Sequence, residues 1–249
     1  MTLTRRILAS SLVGAIALSL SACDSAAESE DALAGEPIAA IPAPEGQAWT
    51  DTVNVSEDGG YVLGNPEAPL KLVEYASHTC GACANFSQTG SPALKEDYIS
   101  SGVVSLELRN LVRDPIDLTI AALVRCGTPE MMIPLSDQAW GSFEDVMTNA
   151  QTGLSQVPNL GDIPADQRFV TIAEASGLID FFAARGLSSD QARTCLADNT
   201  TVEAIAAQSQ KSAIENEINT TPSFFLNGKR LDASQWNGVE PVLQRAGAR

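Results

Sequence analysis

The chain has 249 residues, 31 of them acidic against 15 basic, with a single histidine and a net charge of −16. A surface this acidic repels nucleic acid and anionic lipid headgroups, so a nucleic-acid partner is set aside. Hydrophobic residues at 44% and charged ones at 18% fit a folded globular domain, and each of the five cysteines needs an account.

Residues 1–22 carry Arg5 and Arg6, no acid, and an apolar stretch from Ile7 to Leu20. That stretch is short for crossing a bilayer and has the layout of a secretory signal. It ends in Leu20-Ser-Ala-Cys23, which resembles a bacterial lipobox, a small-residue cleavage site before a cysteine that takes lipid. The alternative is an ordinary signal with a cysteine at that place. Thr4-Arg-Arg-Ile-Leu8 resembles a twin-arginine signal only faintly, and Asp24 resembles an inner-membrane retention residue. Residues 23–50 are rich in Ala, Glu, Pro and Gly and read as a flexible tether from membrane to domain.

Short strands are predicted over Thr52–Val55 and Tyr61–Leu63 around Asp58-Gly-Gly60, and a buried strand over Leu70–Ala76. A helix follows Cys83 as far as Tyr98, bent at Gly90-Ser-Pro92, and leads to a strand over Val103–Leu108. Strand, helix and strand in this order imply parallel pairing through a right-handed crossover. Helices are predicted over Ile116–Arg125, Leu135–Thr148, Phe169–Ala175, Ile179–Ala184, Ser189–Ala197 and Val202–Ser212, with Pro158 and Pro164 in loops. Ser188 reads as an N-cap and Gly186 as a helix stop. A strand over Ser223–Leu226, an Asn227-Gly228 hairpin turn, a return strand over Lys229–Leu231 and a last helix capped from Asp232-Ala-Ser234 close the pattern.

Cys80-Gly-Ala-Cys83 stands between the buried strand and the first helix. Two thiols at a helix start can close a disulfide on each other. The first faces the positive end of the helix dipole and its free amide donors, which favour the thiolate. That is the physical basis of thiol–disulfide exchange. Cys126 and Cys195 remain as a structural bridge, the economical assignment in an oxidising compartment, or as two separate buried thiols.

Glu74, Cys80-x-x-Cys83, a long helical block and then Thr221-Pro222 before Phe224-Phe-Leu-Asn-Gly228 resemble the thioredoxin superfamily. Within it the chain resembles the DsbA-like exported thiol:disulfide oxidoreductases. Pro222 stands 139 residues after Cys83, room for the helical insertion of such proteins. The resemblance implies an α/β fold: a thioredoxin-like domain from 51–114 and 213–249, with an inserted helical domain over 115–212. It makes Cys80 the nucleophile, Cys83 the resolving cysteine and Glu74 the buried carboxylate that shuttles a proton. It makes Pro222 a cis-proline that presents Thr221 to an extended substrate. His78, two residues before Cys80, is grouped with these substrate-side residues; it either stabilises the thiolate or sits on an exposed loop. Gly81-Ala82 between the cysteines departs from the Pro-His of strongly oxidising members, which leaves the direction of electron flow open.

No cofactor beyond the Cys80–Cys83 disulfide and no metal is expected. Expected partners are cysteine-containing exported proteins and a membrane redox partner, quinone-linked rather than reducing, for a lipid-anchored monomer at the periplasmic face. Isomerase or reductase activity on the same scaffold is the alternative. Two readings of another class are a non-catalytic binding lipoprotein and a soft-metal chaperone built on His78, Cys80 and Cys83.

Overall fold

A computed structural model describes residues 33–157 and 159–248. The expected signal segment over residues 1–22, Cys23, the first part of the expected tether and Pro158 lie outside the described residues. Among the described residues no helix is long and apolar enough to cross a membrane.

One six-stranded sheet organises the chain: β1 (Val53–Val55), β2 (Tyr61–Leu63), β3 (Leu70–Ala76), β4 (Val104–Asn110), β5 (Ser223–Leu226) and β6 (Lys229–Arg230), in the order β1-β2-β4-β3-β5-β6. β3 and β4 run parallel, Leu70 beside Val104 through Ala76 beside Asn110, and the other neighbours are antiparallel. The parallel pair needs a crossover, supplied by α1 (Gly81–Thr89) and its continuation through Ser91–Ala93 and a π-helical turn, Leu94–Ile99. The bend falls at Gly90, as its Gly-Ser-Pro sequence suggests.

Strand periodicity decides which side chains face α1. Leu70, Leu72, Glu74 and Ala76 share one face of β3, and all four are buried. On that face Leu72 and Ala76 belong to the main core with Cys83, Phe86 and Phe224. Val73 and Tyr75 point to the opposite side, into a smaller cluster with Leu111, Ile218 and Phe225. At the far end of β5, Asn227 and Gly228 both have positive φ (49° and 79°), the backbone that a tight two-residue hairpin requires. The Asn227 amide side chain accepts from Lys71 N–H and donates to the Pro69 carbonyl, pinning the hairpin to the start of β3.

Between β4 and β5 lies the helical insert: α2 (Pro115–Val124), α3 (Pro129–Gly141), α4 (Phe143–Leu154), α5 (Ala165–Ala175), α6 (Leu178–Ala183), α7 (Ser189–Ala197) and α8 (Asn199–Glu215). The predicted helix over Leu135–Thr148 is in fact two. The first begins at Pro129, where a missing N–H costs nothing, and carries Pro134 inside it; the break falls at Ser142. Ser188 caps α7 by accepting from Gln191 N–H. Cys126 and Cys195 are joined by a disulfide that ties the end of α2 to α7, with Cα atoms 5.9 Å apart and a sequence separation of 69.

Two further expectations are corrected. Residues 33–50, read as part of a flexible tether, lie as a strap against the domain. Gly35 N–H donates to Arg245 C=O, Ile38 N–H to Gly247 C=O and Ile41 N–H to Ser101 C=O, while Trp49 Nε1 donates to the Ile41 carbonyl. The last helix, α9 (Trp236–Arg245), is not capped by a side chain from Asp232-Ala-Ser234. Its N-cap is Gln235, whose amide bonds the Ala82 carbonyl and Asn85 on α1.

Candidate active site

Cys80 is the N-cap of α1, with its carbonyl accepting from Ala84 N–H, and Cys83 lies one turn inside. Both are free thiols; Cys83 is fully buried, while the Gly81 and Ala82 backbone between them is exposed. The Thr221–Pro222 peptide bond is cis, and the Thr221 carbonyl lies 3.2 Å from Cys80 Sγ, which donates to it as a thiol. The Thr221 hydroxyl oxygen is buried and has no geometric hydrogen-bond partner of its own.

The two thiols are electrostatically unequal. A hydrogen bond from the Cys83 side chain, helped by Thr221 and by the amides of Cys83 and Ala82, overcomes burial and brings Cys80 down to about 5. Burial pushes Cys83 far above the ordinary thiol range, reinforced by its bond to Cys80 and the charge of Glu74. Glu74 is itself pushed up to about 8, first by burial and then by the negative charges of Asp137 and Cys80, with Lys95 opposing. On the sheet it lies beside Leu108 and Phe224, neither of which solvates a carboxylate. A carboxyl of this kind holds its proton near neutral pH and can pass it on.

His78 is corrected. It is neither on an exposed loop nor on a substrate face: its side chain is fully buried. It stacks on Trp140 with ring centroids 4.8 Å apart, and its Nε2 lies 3.1 Å from Ser136 Oγ. Its backbone N–H donates to Asp117 Oδ1, and Trp140 Nε1 donates to the Ser77 carbonyl. Asp114, the N-cap of α2, accepts from Thr79 Oγ1. Residues 77–79, just ahead of Cys80, are therefore held by α2 and α3 of the insert.

The thioredoxin family model, described as "Thioredoxin", matches residues 56–245, well over half of the chain. The chain belongs to the thioredoxin family. The crystal structure of a protein-disulfide isomerase from Novosphingobium aromaticivorans superposes with a TM-score of 0.69 at 30% identity, covering 76% of this chain and 98% of that one. That of alpha-DsbA1 from Wolbachia pipientis gives 0.62 at 20% identity, covering 78% and 93%, a likeness of fold. A Rickettsia bellii protein provisionally named protein-disulfide oxidoreductase is 25% identical over 203 residues, 82% of this chain and 70% of its own length. The chain spans 63% and 61% of two further rickettsial relatives. With the paired thiols in place, this thioredoxin-family chain is a thiol:disulfide oxidoreductase.

Two clefts flank the exchange site of this thioredoxin-family protein. One, of about 490 Å³, is lined by Gly81, Asn85, Gln88, Ser142, Phe143 and Glu144 among others. The other, of about 240 Å³, runs beside Thr221 past Leu111, Arg113, Asn219 and Thr220. Sequence reasoning did not find Lys95, Asp117, Ser136, Asp137 or Trp140. They come from three helices, with Ser136, Asp137 and Trp140 sharing α3, and no spacing in the chain links them to Cys80. Asp114 carried a readable signal, an Asp directly before a Pro at the first helical position.

Proposed function

We propose that this protein is an exported oxidase, taking two electrons from pairs of cysteine thiols in substrate polypeptides through a Cys80–Cys83 disulfide. A substrate thiolate attacks Cys80 Sγ; a substrate–Cys80 bond forms, the Cys80–Cys83 bond breaks, and its electron pair leaves on Cys83. Glu74 gives its proton to that sulfur. A second substrate thiolate then attacks the substrate's own sulfur, the substrate disulfide closes, and Cys80 leaves as thiolate. The single observation behind the direction is the place of Cys80 at the N-cap of α1, where the Cys83 thiol and the helix amides bring its thiol down to about 5. A stabilised thiolate is a good leaving group and favours the reduced enzyme, and hence the oxidised substrate.

The remaining features extend this reading as proposals. A signal at residues 1–22 and lipid on Cys23 suit the periplasmic face of a bacterial membrane. There a quinone-linked membrane protein is the reoxidant, cysteine-containing exported proteins are the substrates, and the chain acts as a monomer. The isomerase title of the 30%-identical Novosphingobium structure favours a second reading, in which the same site reshuffles disulfides. Refolding of a substrate with scrambled disulfides by the reduced protein decides between them, and equilibrating the Cys80–Cys83 pair with glutathione separates an oxidase from a reductase. An oxidase gives a potential well above that of the glutathione pool, and a strongly reducing value sinks the proposal.

A further inference from the structure

Arg125 ends α2 and lines a cleft of about 440 Å³ between the β1–β2 turn and α8. That volume lies in the range of small-molecule sites, and neither Cys80, Cys83 nor Thr221 lines the cleft. Nε and Nη2 of Arg125 donate to Asn110 Oδ1 at 3.1 and 2.7 Å, and Nη1 donates to the Gly59 carbonyl at 3.0 Å. The guanidinium carbon stands 4.9 Å from the centre of the Tyr61 ring. Each of these partners is neutral, and among the described residues no carboxylate pairs with Arg125. Arg109, in the same cleft, is the contrast: it pairs with Glu107 at 2.7 Å and with Asp58 at 2.9 Å. Glu57, the other acid of the wall, is exposed on the turn. The α8 wall adds donors. Ser209 and Ser212, one turn apart, are both buried and both line the cleft. Ser209 Oγ accepts from Val112 N–H at 2.7 Å, and Ser212 Oγ accepts from Gln208 Nε2 at 3.4 Å. Among the described residues neither hydroxyl finds an acceptor for its own proton. Ala204 and Ile205 give the same wall an apolar part.

We propose that this cleft binds a small organic anion, its carboxylate or phosphate group held by Arg125, Ser209 and Ser212 and its apolar body set against Tyr61 and Ile205. A guanidinium drawn out of water without a counter-ion is costly, and an oxyanion offsets that cost through charge-assisted hydrogen bonds to the planar fork. Burial holds Arg125 below the usual guanidinium range, the direction expected of a cation with no anion beside it. The two spare hydroxyl protons are further donors of the kind an oxyanion accepts. Arg109 does not compete for the ligand, because Glu107 and Asp58 already occupy it. A neutral or cationic molecule gains nothing from Arg125. The site takes no part in the exchange chemistry proposed above, and the proposal stands or falls without it.

The test is titration calorimetry of the full chain with four probes that share one ring. Benzoate and phenyl phosphate carry the two anionic groups, and benzyl alcohol and benzylamine are the neutral and cationic controls. At least one anion should bind with a Kd of about 1 mM or below and shift the Arg125 Nε–H signal in proton–nitrogen NMR, while the controls leave that signal in place. Which of the two anions binds tighter tells a carboxylate site from a phosphate site. Arg125→Met should weaken the anion at least about tenfold. Ala204→Trp, at an exposed position on the cleft wall, should do the same by filling the space while leaving Arg125 in place. If Arg125 only clamps Asn110 to the β1–β2 turn, neither anion binds, and that overturns the proposal. Benzyl alcohol binding as tightly as benzoate, or anion affinity retained in either variant that folds, overturns it as well. Should Arg125→Met fold poorly, Ala204→Trp decides alone.

Discussion

The sulfur of Cys80 lies 3.2 Å from the carbonyl oxygen of Thr221, across 141 residues of chain. The contact joins the start of α1 to the cis-Pro222 loop. The Thr221 hydroxyl on the same residue is buried and has no geometric hydrogen-bond partner.

The Cys83 thiol and the amides at the start of α1 favour the Cys80 thiolate, which should be measurable well below the ordinary range. In the reduced protein, the pH dependence of alkylation by iodoacetamide should show a midpoint near 5. Thr221→Val removes the buried hydroxyl that counts towards the thiolate and has no other partner, while leaving the backbone carbonyl in place, and should raise that midpoint by up to about one pH unit. A midpoint near 8.5 in the unaltered protein would remove the basis for the direction of electron flow proposed above.

Glu74 makes the opposite kind of prediction, because its pKa is raised in the fold. An acid with a folded pKa of about 8 and an unfolded one near 4.5 contributes stability that is fully present below about 4.5. That stability is lost as the pH rises through about 8. Glu74→Leu, on the face of β3 shared with Leu72 and Ala76, should therefore stabilise the protein at pH 9, by on the order of 3 kcal/mol in urea unfolding. It should also slow the release of Cys83 in single-turnover exchange. An unchanged pH profile of stability would show that this carboxyl is ionised at neutral pH.

Much of this site was legible because its signals are local. Cys80 and Cys83 occupy one helix start, and Asn227-Gly228 is a turn by its own backbone chemistry. Ser188 caps the helix directly after it. The environment of His78 was not legible, since its burial is made by Asp117, Ser136 and Trp140, which the fold alone brings together. The helix α3 was hidden by Pro134, which removes a donor and reads as a stop. The strap over residues 33–50 was hidden for another reason. It is held largely by backbone hydrogen bonds from Gly35, Ile38 and Ile41, which leave no side-chain periodicity to read.

The Cys126–Cys195 bridge closes a 69-residue loop inside the insert. In the chain-entropy account such a loop is worth about 4 kcal/mol, and engineered comparisons often return less. Replacing both cysteines by alanine should lower the stability in urea by about 2–4 kcal/mol while leaving the Cys80 alkylation midpoint in place. A shift of that midpoint together with the stability would mean that the bridge also positions the active-site turn.

The strap gives the last prediction, and Gly102 is the place to test it. Its φ is +75°, and a side chain there would bring its first carbon within 2.3 Å of the Ile41 carbonyl oxygen and 2.5 Å of Trp49 Nε1. That carbonyl is the acceptor for Trp49 Nε1, and the neighbouring Ser101 carbonyl accepts from Ile41 N–H. Gly102→Ala should therefore cost about 1–3 kcal/mol, partly from a left-handed backbone that alanine disfavours and partly from displacing the strap. The second part has its own signature: limited proteolysis should cut between residues 33 and 50 faster in the variant. Deleting residues 33–48 should remove that cleavage and make the glycine substitution cheaper, because its carbon no longer meets Ile41. Equal destabilisation with and without the strap would assign the whole cost to the backbone and leave the strap no part in holding the domain.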